Sequence, residues 1–182
     1  MMRHDIDKAP EKALDLAKLE HDLNIRSVYF VRLHSNYYNP YGYRAYDLLV
    51  QIKNLGHQLS LHSEAFDFGR IFKLDAALSF KKEVELFKTF FDQDISCYAP
   101  HRTHNSSGFE ERQDFYDRLA EMGYHNVYEI VNDNEWKYLS DSSGVWVEGC
   151  FCRHIDKYEK LLVLTHPVWW FKKHIELEGS VV

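Results

Sequence analysis

Apolar, β-favouring runs recur along this chain at intervals of 30 to 37 residues, with starts near residues 27, 58, 95, 125 and 161. Each interval has room for one strand and one crossover helix, the repeat that builds βαβ units and a parallel sheet or barrel. The runs are 26–32, 57–62, 95–99, 125–131 and 161–165. Between them, helical periodicity covers 10–23, with Pro10 at its first position and Leu16, Leu19 and Leu23 on one face. It also covers 43–54, stopped by Gly56, and 109–122, closed by Gly123. A long helix over 74–92 carries Ala77, Phe80, Val84, Phe87 and Phe91 at helical spacing, a stripe that reads as core packing. Five strands are too few for a closed eight-stranded barrel, which takes about 250 residues.

The 182 residues contain no repeat, low-complexity tract or Pro/Gly/Ser linker, so a single domain over 1–182 is expected. The balance of 22 basic and 28 acidic residues argues against a broad nucleic-acid surface. No apolar run approaches the roughly 18 residues that would span a bilayer. The start, MMRHDIDKAP, has no signal-peptide h-region. The three cysteines make no disulfide framework, which fits a reducing compartment, and a cytoplasmic location is expected. Cys150 and Cys152 are spaced C-x-C with no second cysteine pair, and read as core thiols before zinc ligands. The unusual features are 11 histidines and 15% aromatic residues.

In parallel α/β folds, chemistry gathers at the carboxyl ends of the strands. Those positions hold Asp5 and Asp7 near the start, His62 and Glu64, His101 and Arg102, and His166 followed by Trp169 and Trp170. Asp5 and Asp7 are two apart, so on an extended segment both point to one side. Such a pair can hold a cation with one carboxylate and accept a proton with the other; alone, it could equally cap the following helix. His101 and Arg102 suit an anionic or hydroxyl-rich ligand. Trp169 and Trp170 could pack in the core or form a stacking wall for a sugar.

Taken in order, RHDIDKAP, LGHQLSLHSE, YAPHR, YLSDSSGVW and LLVLTHPVWW resemble the successive motifs of the polysaccharide deacetylase superfamily, the domain first described for chitooligosaccharide deacetylases. The resemblance runs through nearly the whole chain. It implies a distorted (β/α) barrel of about seven strands. It implies metal-dependent removal of an N- or O-acetyl group from a sugar. By position, Asp5 matches the catalytic base, Asp7 and His62 match metal ligands, and His166 matches the group that protonates the departing amine or alcohol. Arg102, Asp141, Trp169 and Trp170 fall where substrate is contacted. Zinc is the expected ion; cobalt, manganese, nickel and iron suit the same mixed donors.

Two positions depart from the pattern. Where the family has a second histidine, four residues after the first, this chain has Phe66. Glu64 and His101 are the candidates for the third ligand; His101 is favoured, with Glu64 bracing the site. Only three residues precede His4, too few for a full strand: either the true start lies upstream, or the barrel lacks its N-terminal stave and has an open edge there, a surface that would favour a dimer. Three readings follow. They are a carbohydrate deacetylase, a degenerate deacetylase barrel that binds glycan without hydrolysing it, and another metal hydrolase, such as a phosphoesterase built on His4, Asp5 and His62.

Overall fold

The computed structural model describes residues 1–101, 109–132 and 135–170. Seven strands form one parallel sheet, in the order β5-β4-β3-β2-β1-β7-β6. They are β1 (Met2–Ile6), β2 (Val28–Val31), β3 (Gln58–Ser63), β4 (Cys97–Pro100), β5 (His125–Asn126), β6 (Trp136–Ser140) and β7 (Lys160–Thr165). Five helices accompany them: α1 (Pro10–Asp22), α2 (Tyr43–Asn54), α3 (Ala65–Phe72), α4 (Ala76–Phe91) and α5 (Phe109–Glu121). The sheet curls into a half-barrel whose edges, β5 and β6, do not pair with each other. No helix among the described residues is long and apolar enough to cross a membrane.

The strand period of two sorts each strand into two rows. One row, with Tyr29, Val31, Leu59, Leu61 and Tyr98, packs under the helices, where Phe80, Phe87 and Phe91 of α4 are buried as the aromatic stripe predicts. Truncating one of these phenylalanines should cost about 3–5 kcal/mol. The other row faces the inside of the curl, where Phe30, Ala99, Val127 and Leu162 form a smaller core.

The N-terminal expectation is corrected. Residues Met2–Ile6 form a full strand, paired to β2 on one side and to β7 on the other. Five residues suffice because a ladder on each side satisfies both edges of the backbone. The opening in the barrel lies at β5 and β6 instead.

The helical face of α1 also differs from the expectation. Leu19 and Leu23 are 56% and 61% exposed, while Ala13, Leu14 and Ala17 are buried beside Lys12 and Glu20. Two alanines let the helix approach the sheet closely, and Glu20 is drawn inward by hydrogen bonds. Its carboxylate accepts from Ser27 Oγ at 2.7 Å and Tyr29 Oη at 2.7 Å, and meets His4 Nε2 at 2.8 Å.

Two elements escape the sequence reading. Helix α3 is only eight residues long and contains Gly69, whose missing Cβ lets α4 pass: a Cβ there would lie 2.9 Å from Ala76 Cα. Strand β6 is a five-residue edge with one neighbour, β7. Conversely, the run at 125–131 pairs over only two residues before turning into a 3₁₀ helix at Val127–Asn132. Cys150 and Cys152 are exposed and Cys97 is half-buried, so the C-x-C pair is not a pair of core thiols.

Candidate metal centre

The inward row of each strand carries its polar residues to one end of the curl. On β1 that row is Arg3, Asp5 and, just beyond the strand, Asp7; His4 and Ile6 point the other way. His4 accordingly packs on Tyr29, with ring centroids 4.5 Å apart, and reaches Thr165 Oγ1 at 2.6 Å and Glu20 at 2.8 Å. It lies under α1, away from Asp5, so a phosphoesterase centre combining His4 with Asp5 and His62 has no geometric basis.

Asp7, His62 and His101 converge, their donor atoms all within 4.8 Å of one another. Asp7 Oδ1 lies 3.4 Å from His62 Nε2 and 3.6 Å from His101 Nε2. The two imidazoles meet edge to face, centroids 5.0 Å apart. His62 Nδ1 donates to the Ala99 carbonyl at 2.9 Å, which leaves Nε2 as the ring atom that faces Asp7. His101 Nδ1 lies 3.1 Å from Glu64 Oε1, in an off-axis contact. Glu64 is itself gripped by Arg32, with Nε 3.2 Å from Oε2 and Nη2 2.8 Å from Oε1. Glu64 therefore braces His101.

These residues fit a divalent ion. Asp7 Oδ1 is a buried acceptor that receives no hydrogen bond. It faces two ring nitrogens, with the Arg32 guanidinium further off at 3.9 Å, and a divalent ion between the three donor atoms would satisfy all of them. Ligands about 2.1 Å from a tetrahedral zinc stand about 3.4 Å apart, close to both nitrogen–oxygen separations here. Burial pushes the Asp7 carboxyl up, but His62, His101 and His166 outweigh it and hold it below the usual carboxylate range. Burial likewise pushes Glu64 up, while His101 and Arg32 bring it down to about 2.

Asp5 lies beside this group, with Oδ2 3.3 Å from His62 Nε2. Both its oxygens are also held by Arg3, from Nε at 2.8 Å and from Nη2 at 2.8 Å. Arg3 is 0% exposed. Its guanidinium lies between the rings of Phe30 and Tyr128, at 5.0 and 4.8 Å. Burial raises the Asp5 carboxyl, but Arg3 and then His62 lower it further, so it stays ionised.

His166 closes the group from β7, its Nε2 3.9 Å from Asp7 Oδ2. Asp141 is buried beneath it. That carboxylate accepts from the His166 backbone N–H at 2.9 Å and from Trp170 Nε1 at 2.8 Å, and its Oδ1 sits 2.7 Å from His166 Nδ1. These contacts tie Asp141 to His166 and Trp170, and Asp141 also edges the cleft lined by Trp146, Trp169 and Trp170. Burial lowers the imidazole's proton affinity, but Asp141, Asp5 and Asp7 raise it above the usual histidine value.

Trp169 and Trp170 are 38% and 44% exposed. With Trp146, Gly144 and the edge of Asp141 they line a cleft of about 380 Å³. A larger cleft, about 680 Å³, opens between the starts of α1 and α2, lined by Pro10, Tyr38, Tyr43 and Val168 among others, and contains none of the converging groups. Arg102 lies outside the described residues.

No protein-family model and no curated protein matches the sequence. Solved structures do match. A polysaccharide deacetylase from Bacillus cereus superposes with a TM-score of 0.60 at 11% identity, over 91% of this chain and 77% of that one. The chitin deacetylase from Colletotrichum lindemuthianum gives 0.57 at 16% identity, over 92% and 72%. A family 4 carbohydrate esterase pseudoenzyme from Bacillus anthracis gives 0.59 at 8% identity, over 91% and 53%. The fold is that of the family 4 carbohydrate esterases.

The chain spans 53–55% of the length of the first matched structures, a pseudoenzyme and its mutants. Within the carbohydrate esterase fold, position 66 is turned away from the converging donors. Phe66 packs on Phe115, centroids 5.6 Å apart, and under the Arg112 guanidinium at 4.5 Å. Arg3 and Arg32 are the residues that sequence reasoning passed over. Their one signal is position: Arg3 lies in the inward row of β1, and Arg32 continues the inward row of β2 one residue past its end.

Proposed function

We propose that this protein is a divalent-metal-dependent hydrolase that removes an acetyl group from an acetylated sugar. The observation that carries the reading is the orphaned acceptor Asp7 Oδ1 facing His62 Nε2 and His101 Nε2. Asp7, His62 and His101 would hold the ion. Zinc or a similar ion bound there polarises an acetyl carbonyl and lowers the pKa of a water. Asp5 is the proton acceptor: a carboxylate has roughly four lone-pair sites. Arg3 occupies two of them, leaving the rest for the water. His166, its Nδ1 bound to Asp141, presents Nε2 as the proton donor to the departing amine or alcohol. The cleft between Trp146, Trp169 and Trp170 seats a pyranose ring against the indoles.

The deciding experiment measures metal content and acetate release together. About one divalent ion per chain, lost in D7A and H62A, with acetate released from acetylated chito-oligosaccharides, supports the reading. D5N should keep the ion and lose hydrolysis. No ion after incubation with zinc or cobalt would sink it.

The Arg3 clamp on Asp5 favours a second reading, a barrel that binds glycan without cutting it, because the guanidinium weakens the carboxylate as a base. Glycan binding with bound metal and no acetate release would select it.

A further inference from the structure

Cys150 and Cys152 take no part in the reaction proposed above, yet they are organised. Both are exposed, on either side of Phe151 at the 3₁₀ turn Phe151–Arg153. The backbone N–H of Cys152 donates to Cys150 Sγ at 3.4 Å. A donor aimed at sulfur favours the thiolate there. With Phe151 alone between them, the two thiols also lie close enough to interact directly. The Cys152 thiol and then its backbone N–H hold the Cys150 thiol below its usual value, while Cys152 is raised. One sulfur is thus set up to attack and its neighbour to follow.

We propose that Cys150 and Cys152 are a redox-active dithiol, closed to an intramolecular disulfide by exchange with a small-molecule disulfide. The Cys150 thiolate attacks one sulfur of the oxidant, forming a mixed disulfide and expelling one thiolate. Cys152 then gives up its proton and attacks Cys150 Sγ, expelling the second thiolate. Two electrons pass from the cysteine pair to the oxidant, which leaves as two thiols. The ring so closed holds Phe151 in place. Phe151 packs on Trp146 at 5.9 Å, and Trp146 meets Trp170 edge-on at 6.2 Å, so the redox state of the pair adjoins the wall of the tryptophan cleft. Cys97, half-buried and with its thiol pushed up by burial, is the internal control.

The test equilibrates the full chain with glutathione disulfide, quenches in acid, and reads intact mass and a peptide map. Wild type should lose two hydrogens, mapped to Cys150–Cys152, with no retained glutathione. C152S should retain one glutathione on Cys150. C150S should acquire its adduct on Cys152 roughly tenfold more slowly. Stable glutathione on both cysteines of the wild type, or a wild type that stays reduced while C152S is modified, overturns the proposal. Both side chains are exposed, and circular dichroism of the variants checks that each still folds.

Discussion

His101 Nδ1 lies 3.1 Å from Glu64 Oε1, and the Arg32 guanidinium holds both oxygens of the same carboxylate. A histidine braced in this way keeps Nε2 aimed at Asp7 without rearrangement. Removing the brace should loosen the ion without abolishing its site. We expect E64Q to weaken metal affinity by about 10- to 100-fold. D7A and H62A should lose the ion altogether. Calorimetric titration of the metal-free protein with zinc checks both, and an unchanged affinity in E64Q would remove Glu64 from the account.

The Asp141–His166 contact sets the expected pH dependence. With His166 as the proton donor proposed above, the rate should fall as pH rises through its folded value. That value lies above the ordinary imidazole pKa of about 6.5, because carboxylates at Asp141, Asp5 and Asp7 outweigh burial. The alkaline limb of kcat/KM should therefore lie above the ordinary value. In D141N it should move down, together with a fall in kcat. A limb that stays put in D141N would show that another group titrates there.

Glu20 should matter to stability and not to chemistry. E20A leaves His4, Ser27 and Tyr29 without their shared acceptor, a loss of about 3–5 kcal/mol for a broken buried pair. Burial raises the Glu20 carboxyl, but its bonds to His4, Tyr29 and Ser27 lower it on balance. Its contribution is thus complete above the unfolded value of about 4.3, and is lost as pH falls through the lower folded value. Urea unfolding of wild type and E20A should show a gap at pH 7 that narrows on acidification.

Restoring the family histidine should not help this chain. Position 66 packs against Phe115 and Arg112, not toward Asp7, and His101 already stands in the converging group. F66H should leave zinc affinity within about twofold and cost about 1–3 kcal/mol, because a polar ring then replaces an apolar one in a half-buried aromatic contact. Tighter zinc binding in F66H would show that the α3 end can swing into the site.

Much of this architecture is legible from spacing. Buried strands such as 57–62 and the α4 stripe announce themselves because one periodicity runs unbroken between turn residues. Gly56 and Gly123 mark helix ends because both hold positive φ, 91° and 85°. The misses have a common cause: β1, β6 and α3 are short, and their sequences carry less information than the neighbours that order them. At the site, residue types at strand ends point to Asp7, His62, His101 and His166, but not to the direction each contact takes. Asp141 reads as a substrate contact in sequence, and its pairing with His166 is visible only in the fold. Arg32 escapes motif reading because it pairs with Glu64 just past the next strand, and Arg3, although it opens the RHDIDKAP motif, gives no sign there that it will be buried against Asp5.

The pairing of β1 with β7 places Arg3 opposite Leu164, 161 residues further along. The two carboxylates of the site therefore stand in their final surroundings only after almost the whole described chain is in place. Contacts of such long range make for slow, late closure. Any metal is thus expected to be taken up last, by a nearly finished protein, and a chain halted before β7 would display Asp5 and Asp7 on a strand with one side bare.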